Sequence, residues 1–194
     1  QETAVGQIHG FWQENKPVLL QGDTSSGKTH IYIRLIEEAL EKNKQVLYLL
    51  PEISLTTQLI RRIEAYFGEL VMVSHSKFSE NERMEIWTKL YTEEVKILIA
   101  PRSGIFMPFQ NLGLIIVDEE HETSYKQFEA SPSYHARDCA IVLAKHSDAQ
   151  VILGSATPSI ESYHNGLTDK YGLVVVEGRY SGVEMPVFEV VDML

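Results

Sequence analysis

Two glycines near the amino terminus, Gly22 and Gly27, bracket four residues and are followed by Lys28 and Thr29. This is the complete G-x-x-x-x-G-K-S/T spacing of a loop that wraps phosphate groups. Glycine lets the backbone curl so that its N–H groups point at an anion, and a following helix adds its positive end. Lys28 would reach the outer phosphates, and the Thr29 hydroxyl would bind Mg²⁺. An ordinary glycine turn is the alternative, but the complete spacing favours a nucleotide site.

An acidic run begins at Asp118, directly after the apolar residues 114–117. A strand end holds a carboxylate in a fixed position, so Asp118 would bind the metal and Glu119 would orient or deprotonate an attacking water. A solvated acidic turn is the alternative. Because the phosphate loop is complete, we favour a catalytic set of Lys28, Asp118 and Glu119.

Small hydroxyl residues follow another apolar run at 151–153. Ser155 and Thr157 are placed to hydrogen-bond the acidic run and transmit the state of the nucleotide. Alternatively, Thr157 only caps a short helix that Pro158 opens. The local sequence favours neither interpretation.

Apolar runs alternate with helical patterns, which predicts an α/β fold with a mostly parallel sheet and helices on both faces. The predicted strands are 18–21, 45–50, 70–73, 96–100, 114–117 and 151–153, and the predicted helices are 1–15, 29–40, 54–67, 79–90, 134–145 and 159–163. Ser79 and Glu82 form a capping-box pattern. Weaker patterns at 173–176 and 187–191 predict edge or linker strands. Ligands of such sheets bind at the carboxyl ends of the strands, where the residues above would meet.

The 194 residues include 27 acidic and 17 basic side chains, which gives a formal net charge of −10. A sequence-independent grip on nucleic-acid phosphates usually needs the opposite sign, so any such contact requires a local basic or aromatic surface or further domains. The single cysteine, Cys139, excludes an internal disulfide and a cysteine-rich zinc site. With no membrane-spanning run and no signal-peptide pattern, we expect a cytoplasmic protein without membrane contact, cut from a longer chain.

Three stretches, in this order, resemble motifs I, II and III of the superfamily 2 helicases: the phosphate loop, DEEH at 118–121 and SAT at 155–157. Further runs are similar to the bacterial primosomal replication-restart helicases of that superfamily, namely PEISLT at 51–56, HS at 75–76, RSGIF at 102–106, SYKQ at 124–127 and YHARD at 134–138. The resemblance covers nearly the whole chain. It implies the first RecA-like, P-loop NTPase domain of an ATP-driven 3′-to-5′ DNA helicase, with about 180–194 as an edge strand or linker toward a second motor domain. The implied activity is unwinding at stalled forks for primosome assembly and replication restart in the bacterial cytoplasm.

The resemblance also implies roles for individual residues. The ATP-binding set is Gln1, as an adenine contact, with Gly22, Asp23, Thr24, Ser25, Ser26, Gly27, Lys28 and Thr29; Thr29 and Asp118 would hold Mg²⁺, and no zinc is expected. The coupling residues are Ser155, Thr157 and His121. The residues for DNA binding or sensing are Arg102, Ser103, Tyr125, Lys126, Phe128, Tyr134 and Arg137. Rings of this set would stack on unpaired bases and its cations would meet phosphates, unless the rings pack onto the domain instead.

The implied partners are single-stranded and forked DNA, primosome proteins and a single-strand binding protein. Asp23 stands where the family usually has an apolar residue, and its carboxylate would weaken phosphate binding unless the side chain turns outward. A second domain supplies the family's catalytic arginine, so this chain alone would bind nucleotide weakly and hydrolyse it barely. The alternatives are another superfamily 2 translocase, a P-loop kinase of small metabolites and a non-hydrolysing primosome interaction module.

Overall fold

The computed structural model describes residues 2–23, 26–51, 57–75, 78–128 and 131–176. The described helices are α1 (Glu2–Gln13), α2 (Lys28–Glu41), α3 (Thr57–Phe67), α4 (Glu80–Tyr91), α5 (Ala136–Ser147) and α6 (Ile160–Leu167). The described strands are β1 (Val18–Gly22), β2 (Gln45–Leu49), β3 (Val71–Val73), β4 (Ile97–Ala100), β5 (Leu112–Asp118), β6 (Lys126–Gln127), β7 (Tyr134–His135), β8 (Gln150–Ser155) and β9 (Gly172–Val176). The predictions for Gln1, Thr24, Ser25, the helix start at 54, the strand at 187–191 and the linker at 180–194 lie outside the described residues.

Seven strands form one parallel sheet in the order β3-β4-β2-β5-β8-β1-β9. Strands β6 and β7 pair antiparallel as a separate two-stranded ribbon. Two parallel strands cannot be joined by a tight hairpin, because the chain must first return to the other end of the sheet. Helices therefore connect one strand to the next. This confirms the predicted α/β fold, including the edge strand near residue 173, which pairs with β1.

Successive side chains along each strand pack into two separate apolar layers, one on each face of the sheet. On β1, Val18 and Leu20 pack in the layer that contains α1 and α2, while Leu19 packs in the layer that contains α4 and α5. All three side chains are fully buried. A strand covered on both faces needs apolar residues at every position, and this explains the continuous apolar runs of the sequence.

Within the described residues, the predicted helices and strands are found with shifted ends. Two local interpretations were wrong, namely the cap at Thr157 and the helix start at Tyr134. The capping box is confirmed: the Ser79 hydroxyl accepts a hydrogen bond from the Glu82 amide, and the Glu82 carboxylate accepts one from the Ser79 amide. The last described helix is not capped by Thr157 or opened by Pro158, because Ser159 is its N-cap and accepts from the Ser162 amide.

The predicted helix at 134–145 begins later, at Ala136, since Tyr134 and His135 form β7 instead. The sequence analysis missed this ribbon because two-residue strands carry no periodic signal. No helix in the part of the chain that the structure describes is both long and apolar enough to span a bilayer.

Candidate functional site

The ends of three neighbouring strands bring the predicted site residues together. Strand β8 lies between β1 and β5, with Ser155 in register with Gln21 of β1, and Gly154 in register with Asp118 of β5. Gly154 leaves room at this point, because a Cβ atom there would overlap the Tyr32 hydroxyl. The phosphate loop, the acidic run and the small hydroxyl residues therefore share one edge of the sheet.

Lys28 begins α2, and its amine reaches back to the backbone at the end of β1. Lys28 Nζ donates hydrogen bonds to the carbonyl oxygens of Gly22, at 2.6 Å, and Asp23, at 3.3 Å. Gly27 precedes the helix with φ of 95°, a left-handed conformation that favours glycine. Lys28 is buried, so its charge is held at the mouth of the loop rather than in solvent.

The loop also contains a buried polar atom without a partner among the described residues, Ser26 Oγ. The backbone amide of Ser26 donates a hydrogen bond to the Asp23 carbonyl at 3.0 Å, so the Ser26 hydroxyl is left to bind a ligand. Together with the amine of Lys28 and the N-terminus of α2, this donor set fits a polyphosphate. Thr29 follows Lys28 directly in α2, and its role as a metal ligand stays a prediction.

Asp118 ends β5 as a buried carboxylate held by two tyrosines. The hydroxyls of Tyr32 and Tyr48 donate to Oδ1 and Oδ2, each at 3.1 Å, and the Glu119 amide donates to Oδ1 at 3.1 Å. Burial, followed by the charge of Glu119, raises the pKa of Asp118 to about 6, although the positive charge of Lys28 opposes this rise. The hydrogen-bond donors to Asp118 are thus neutral, and Lys28 is close enough to interact with the carboxylate electrostatically. No cluster of three or more His, Cys, Asp or Glu that could hold a metal occurs within the described ranges.

The predicted coupling residues lie together beside this carboxylate. His121 Nδ1 and Ser155 Oγ are 2.7 Å apart, and the Ser155 hydroxyl also accepts from the Thr157 amide at 3.0 Å. His121 Nδ1 is 3.7 Å from a carboxylate oxygen of Glu119. Glu119 itself has φ of 49°, so the chain turns sharply after β5, and His121 lies against Ser155 at the end of β8.

Glu120 forms a buried network that the sequence analysis missed. Its fully buried carboxylate accepts from Arg137 Nη1 at 3.1 Å, from the Ser159 amide at 2.7 Å and hydroxyl at 3.0 Å, and from the Ser162 hydroxyl at 2.8 Å. It joins the turn after β5 to the starts of α5 and α6. The burial of Glu120 was hard to predict, because a glutamate in an acidic run is usually exposed to solvent and its partners lie 17 to 42 residues away in the sequence.

Two of the residues predicted to contact DNA are buried. Arg137 is only 8% exposed and is paired with Glu120 and with Asp138, whose Oδ1 lies 2.9 Å from Arg137 Nε. Tyr125 is fully buried, and its hydroxyl donates to the Asp118 carbonyl at 2.6 Å. Neither side chain presents a face or a charge to a nucleic acid in this structure, so the stacking and phosphate roles do not fit them. Their contacts with the acidic run fit the sensing role instead.

The remaining predicted DNA residues lie at the surface near the ribbon. Phe128 is 70% exposed, and Lys126 Nζ lies 4.9 Å from its ring centre. Tyr134 packs edge-on against Phe106, with ring centres 5.1 Å apart. Arg102 Nη1 donates to the Ser124 carbonyl at 3.0 Å, and its neighbour Ser103 is exposed. Aromatic rings and cations thus lie together on the surface around the ribbon, which follows the acidic run in the chain.

Comparison with known proteins identifies close relatives. The family model described as DEAD/DEAH box helicase matches residues 1–165. The replication restart protein PriA of Bacillus subtilis (strain 168) is 47% identical over 180 residues, which is 93% of this chain and 22% of the relative. The PriA of Chlamydia pneumoniae is 46% identical over 195 residues, which is 100% of this chain and 26% of the relative. The chain therefore spans only 22% and 26% of the lengths of these relatives.

Solved structures give the same fold. RecG bound to a three-way DNA junction matches with a TM-score of 0.66 and 26% identity over 91% of this chain and 23% of that chain. The DUF1998 helicase MrfA bound to DNA and AMPPNP matches with a TM-score of 0.60 and 19% identity over 91% of this chain and 27% of that chain. At that lower identity, the second match supports the fold alone.

Proposed function

The chain belongs to the DEAD/DEAH box helicase family, and from this premise we propose that it is the first RecA-like half of a DNA motor acting at stalled replication forks. It is an ATP-binding helicase domain of the type found in PriA. One observation carries the proposal: Lys28 begins the helix after β1 and Asp118 ends β5, and these two strands are separated only by β8, whose Ser155 contacts the acidic run. A P-loop kinase of small metabolites does not fit this family.

The loop residues Gly22, Asp23, Ser26, Gly27, Lys28 and Thr29, together with Thr24, Ser25 and Gln1 outside the described residues, would bind ATP. Lys28 would exchange the carbonyls of Gly22 and Asp23 for phosphate oxygens. Thr29 and Asp118 would hold Mg²⁺, which when bound with ATP neutralises the charge of the transferred phosphoryl group. Glu119 would orient and deprotonate the attacking water from the turn directly after Asp118.

Coupling to DNA would run through the residues around the acidic run. Ser155, Thr157 and His121 form one hydrogen-bonded group beside Glu119. Tyr125 links the same strand end to the ribbon, because its hydroxyl bonds to Asp118 and the next residues form β6. A change at the ribbon therefore has a short path to the catalytic carboxylates.

DNA would contact residues near the ribbon, namely the exposed Ser103, Lys126 and Phe128 and the half-buried Arg102 and Tyr134. The PriA relatives are replication restart proteins, which supports replication restart as the process. Single-stranded and forked DNA would be the substrate, with 3′-to-5′ movement. Primosome proteins and a single-strand binding protein would be partners in the bacterial cytoplasm. A second RecA-like domain would supply the arginine that completes hydrolysis, so the 194-residue chain alone would be nearly inactive.

The test is steady-state ATP hydrolysis by a longer protein containing this chain, without DNA, with single-stranded DNA and with forked DNA. We expect DNA to raise the rate, and Lys28→Ala to lower it by about 100-fold or more, since a charge that stabilises the transition state is lost. Lys42→Ala, an exposed lysine just after the same helix, is the matched control and should hydrolyse ATP normally.

Equal stimulation by forked and unforked DNA would favour another superfamily 2 translocase over a fork-specific motor. Absence of hydrolysis with every DNA would overturn the motor function and favour a non-hydrolysing interaction module of the primosome.

A further inference from the structure

Tyr32 joins the helix that begins at Lys28 to the carboxylate at the end of β5. Its ring is fully buried in the apolar layer that contains α1 and α2, and its hydroxyl donates to Asp118 Oδ1 at 3.1 Å. Residues three or four apart lie on neighbouring turns of the same helix face. Tyr32 is therefore one turn away from Lys28 and Thr29, the residues predicted to bind the phosphates and the metal.

The two carboxylate oxygens of Asp118 are not equally occupied. Oδ1 accepts from the Tyr32 hydroxyl and from the Glu119 amide, each at 3.1 Å. Oδ2 accepts from the Tyr48 hydroxyl at 3.1 Å and from no second donor among the described residues. Each oxygen of an ionised carboxylate can accept about two hydrogen bonds. Oδ1 is thus saturated, whereas Oδ2 keeps the capacity to bind a further ligand.

The neighbouring strand leaves space for the Tyr32 hydroxyl. Gly154 of β8 is in register with Asp118, and a Cβ atom on Gly154 would overlap that hydroxyl and lie 2.9 Å from Tyr32 Cζ. The same Cβ atom would lie 3.2 Å from Asp118 Oδ1. Gly154 is not among the residues of positive φ, so its backbone conformation would accept a side chain. The glycine is therefore explained by the space that the hydroxyl occupies.

Packing alone does not require this hydroxyl. Phenylalanine would fill the same apolar layer, in which the Tyr32 ring packs edge-on against Tyr48 with ring centres 5.7 Å apart. A buried hydroxyl must in addition be hydrogen-bonded, because an unpaired one costs free energy. Here the bond is made to a carboxylate, beside a glycine on the next strand. A helix and two strands are thus arranged around one hydroxyl, which favours a role in orienting the carboxylate.

We propose that Tyr32 is a positioning residue for Mg²⁺: its hydroxyl fixes the rotation of the Asp118 carboxylate and leaves Oδ2 as the oxygen that serves the metal. The proposal rests on the proposed function, because it assumes that Asp118 and Thr29 hold Mg²⁺ with ATP. It gives a role to a residue that the sequence analysis did not single out. Groups that orient a metal ligand typically contribute about 10- to 100-fold to metal affinity or activity.

The first test measures equilibrium binding of a fluorescent, non-hydrolysable ATP analogue to the longer protein, with Mg²⁺ and with EDTA. We expect Mg²⁺ to tighten binding in the parent protein, and Tyr32→Phe to reduce this gain about tenfold while the affinity in EDTA stays unchanged. Phenylalanine keeps the ring in the apolar layer, so the variant should fold. Tyr66→Phe, at an exposed position on α3, is the matched control and should bind as the parent does.

The second test separates metal binding from turnover. In DNA-stimulated ATP hydrolysis by the longer protein, Tyr32→Phe should raise the Mg²⁺ concentration for half-maximal activity about tenfold. Saturating Mg²⁺ should restore most of kcat, because the metal ligands themselves are intact. A loss of packing alone would instead lower kcat at every Mg²⁺ concentration and would contradict the positioning role.

Gly154→Ala tests the same hydroxyl from the opposite side. Its methyl group would displace the Tyr32 hydroxyl, so Gly154→Ala alone should also reduce the gain in affinity from Mg²⁺. Once Tyr32→Phe has removed the hydroxyl, adding Gly154→Ala should reduce the gain by less than about twofold, because the two changes act on one contact.

Two results in Tyr32→Phe would overturn its positioning role and leave the motor function intact: an unchanged gain from Mg²⁺, or equal losses of affinity with Mg²⁺ and with EDTA. Independent, additive losses for Tyr32→Phe and Gly154→Ala would also overturn it, since the two residues would then not act through one hydroxyl. If the parent protein binds the analogue in neither condition, the proposed function itself fails.

Discussion

Asp118 and Glu120 are buried carboxylates two residues apart, yet their surroundings are opposite. Asp118 is met by two tyrosine hydroxyls and a backbone amide, all neutral donors, and its pKa is raised to about 6. Glu120 is met by the guanidinium of Arg137, two serine hydroxyls and an amide. Among the described residues, Asp118 has no directly hydrogen-bonded cation, whereas Glu120 has Arg137.

This difference is the one expected between a carboxylate that binds a ligand and a carboxylate that holds the fold together. A buried charge without a counter-ion costs free energy, and a metal ion with its phosphates can offset that cost. A buried charge that is paired and hydrogen-bonded cannot release its partners cheaply. We therefore expect substitutions at Glu120 to damage the fold and substitutions at Asp118 to damage activity while sparing the fold.

The largest effect is expected for Glu120→Ala. It removes the fully buried partner of Arg137, which is only 8% exposed and would keep only its contacts with Asp138 and Ser159, so the free energy of unfolding should fall by about 3 to 5 kcal/mol. Urea denaturation followed by circular dichroism measures this. Glu161→Ala, an exposed acid on α6, is the control and should unfold like the parent chain. A loss at Glu120 no larger than that of the control would remove the distinction between the two carboxylates.

Asp118→Asn should act in the opposite direction. The carboxyl has a pKa of 3.8 in its ordinary state and of about 6 in the folded chain. Between these values the folded chain binds a proton that the unfolded chain has released, so stability falls as the pH rises through this window. At pH 7 the substitution should therefore stabilise the fold by about 3 kcal/mol, while ATP hydrolysis is lost.

Urea denaturation at neutral pH and at about pH 3.5 tests this prediction, because the gain should vanish once both states are protonated. The same gain at both pH values would show that it does not come from the carboxyl group.

Tyr48→Phe should have a smaller effect. It removes one of the two hydroxyl donors to Asp118, and the loss in stability should be about 1.5 kcal/mol. The pKa of Asp118 should rise further, which would shift the pH window of the previous experiment upward. Tyr66→Phe, at an exposed position, is the control. An unchanged pH window would mean that the tyrosine does not tune the carboxylate.

The smallest effect on stability is expected for Ser155→Ala, about 0.5 to 1 kcal/mol, because it removes the contacts with His121 and the Thr157 amide. Its effect should appear in coupling instead: ATP binding persists, but the stimulation of hydrolysis by DNA in the longer protein falls. Full stimulation in this variant would exclude Ser155 from the coupling path.

Much of the fold was predictable from sequence, because continuous apolar runs and helical spacing report burial directly. The phosphate loop and Asp118 were found for a similar reason, since the chemistry requires fixed residue types at fixed local spacing. In contrast, the partners of Glu120 are brought in by α5 and α6, and nothing local marks them.

The interpretation of Tyr125 and Arg137 shows the same limit. An aromatic ring and a cation near a loop are consistent with nucleic-acid binding, but only the packing of the ribbon shows that both are buried against the acidic run. Similarly, Tyr32 and Tyr48 look like ordinary core residues until the sheet brings their hydroxyls to Asp118.

The position of β1 also affects the time at which the nucleotide site is assembled. Both neighbours of this strand, β8 and β9, come from the last part of the described chain. A ribosome that has made Gly22 must add the chain up to Ser155 before β1 gains its first partner, a delay on the order of 10 s. During synthesis the phosphate loop therefore takes shape only after β8 and β9 have been made, although it precedes both strands in the chain.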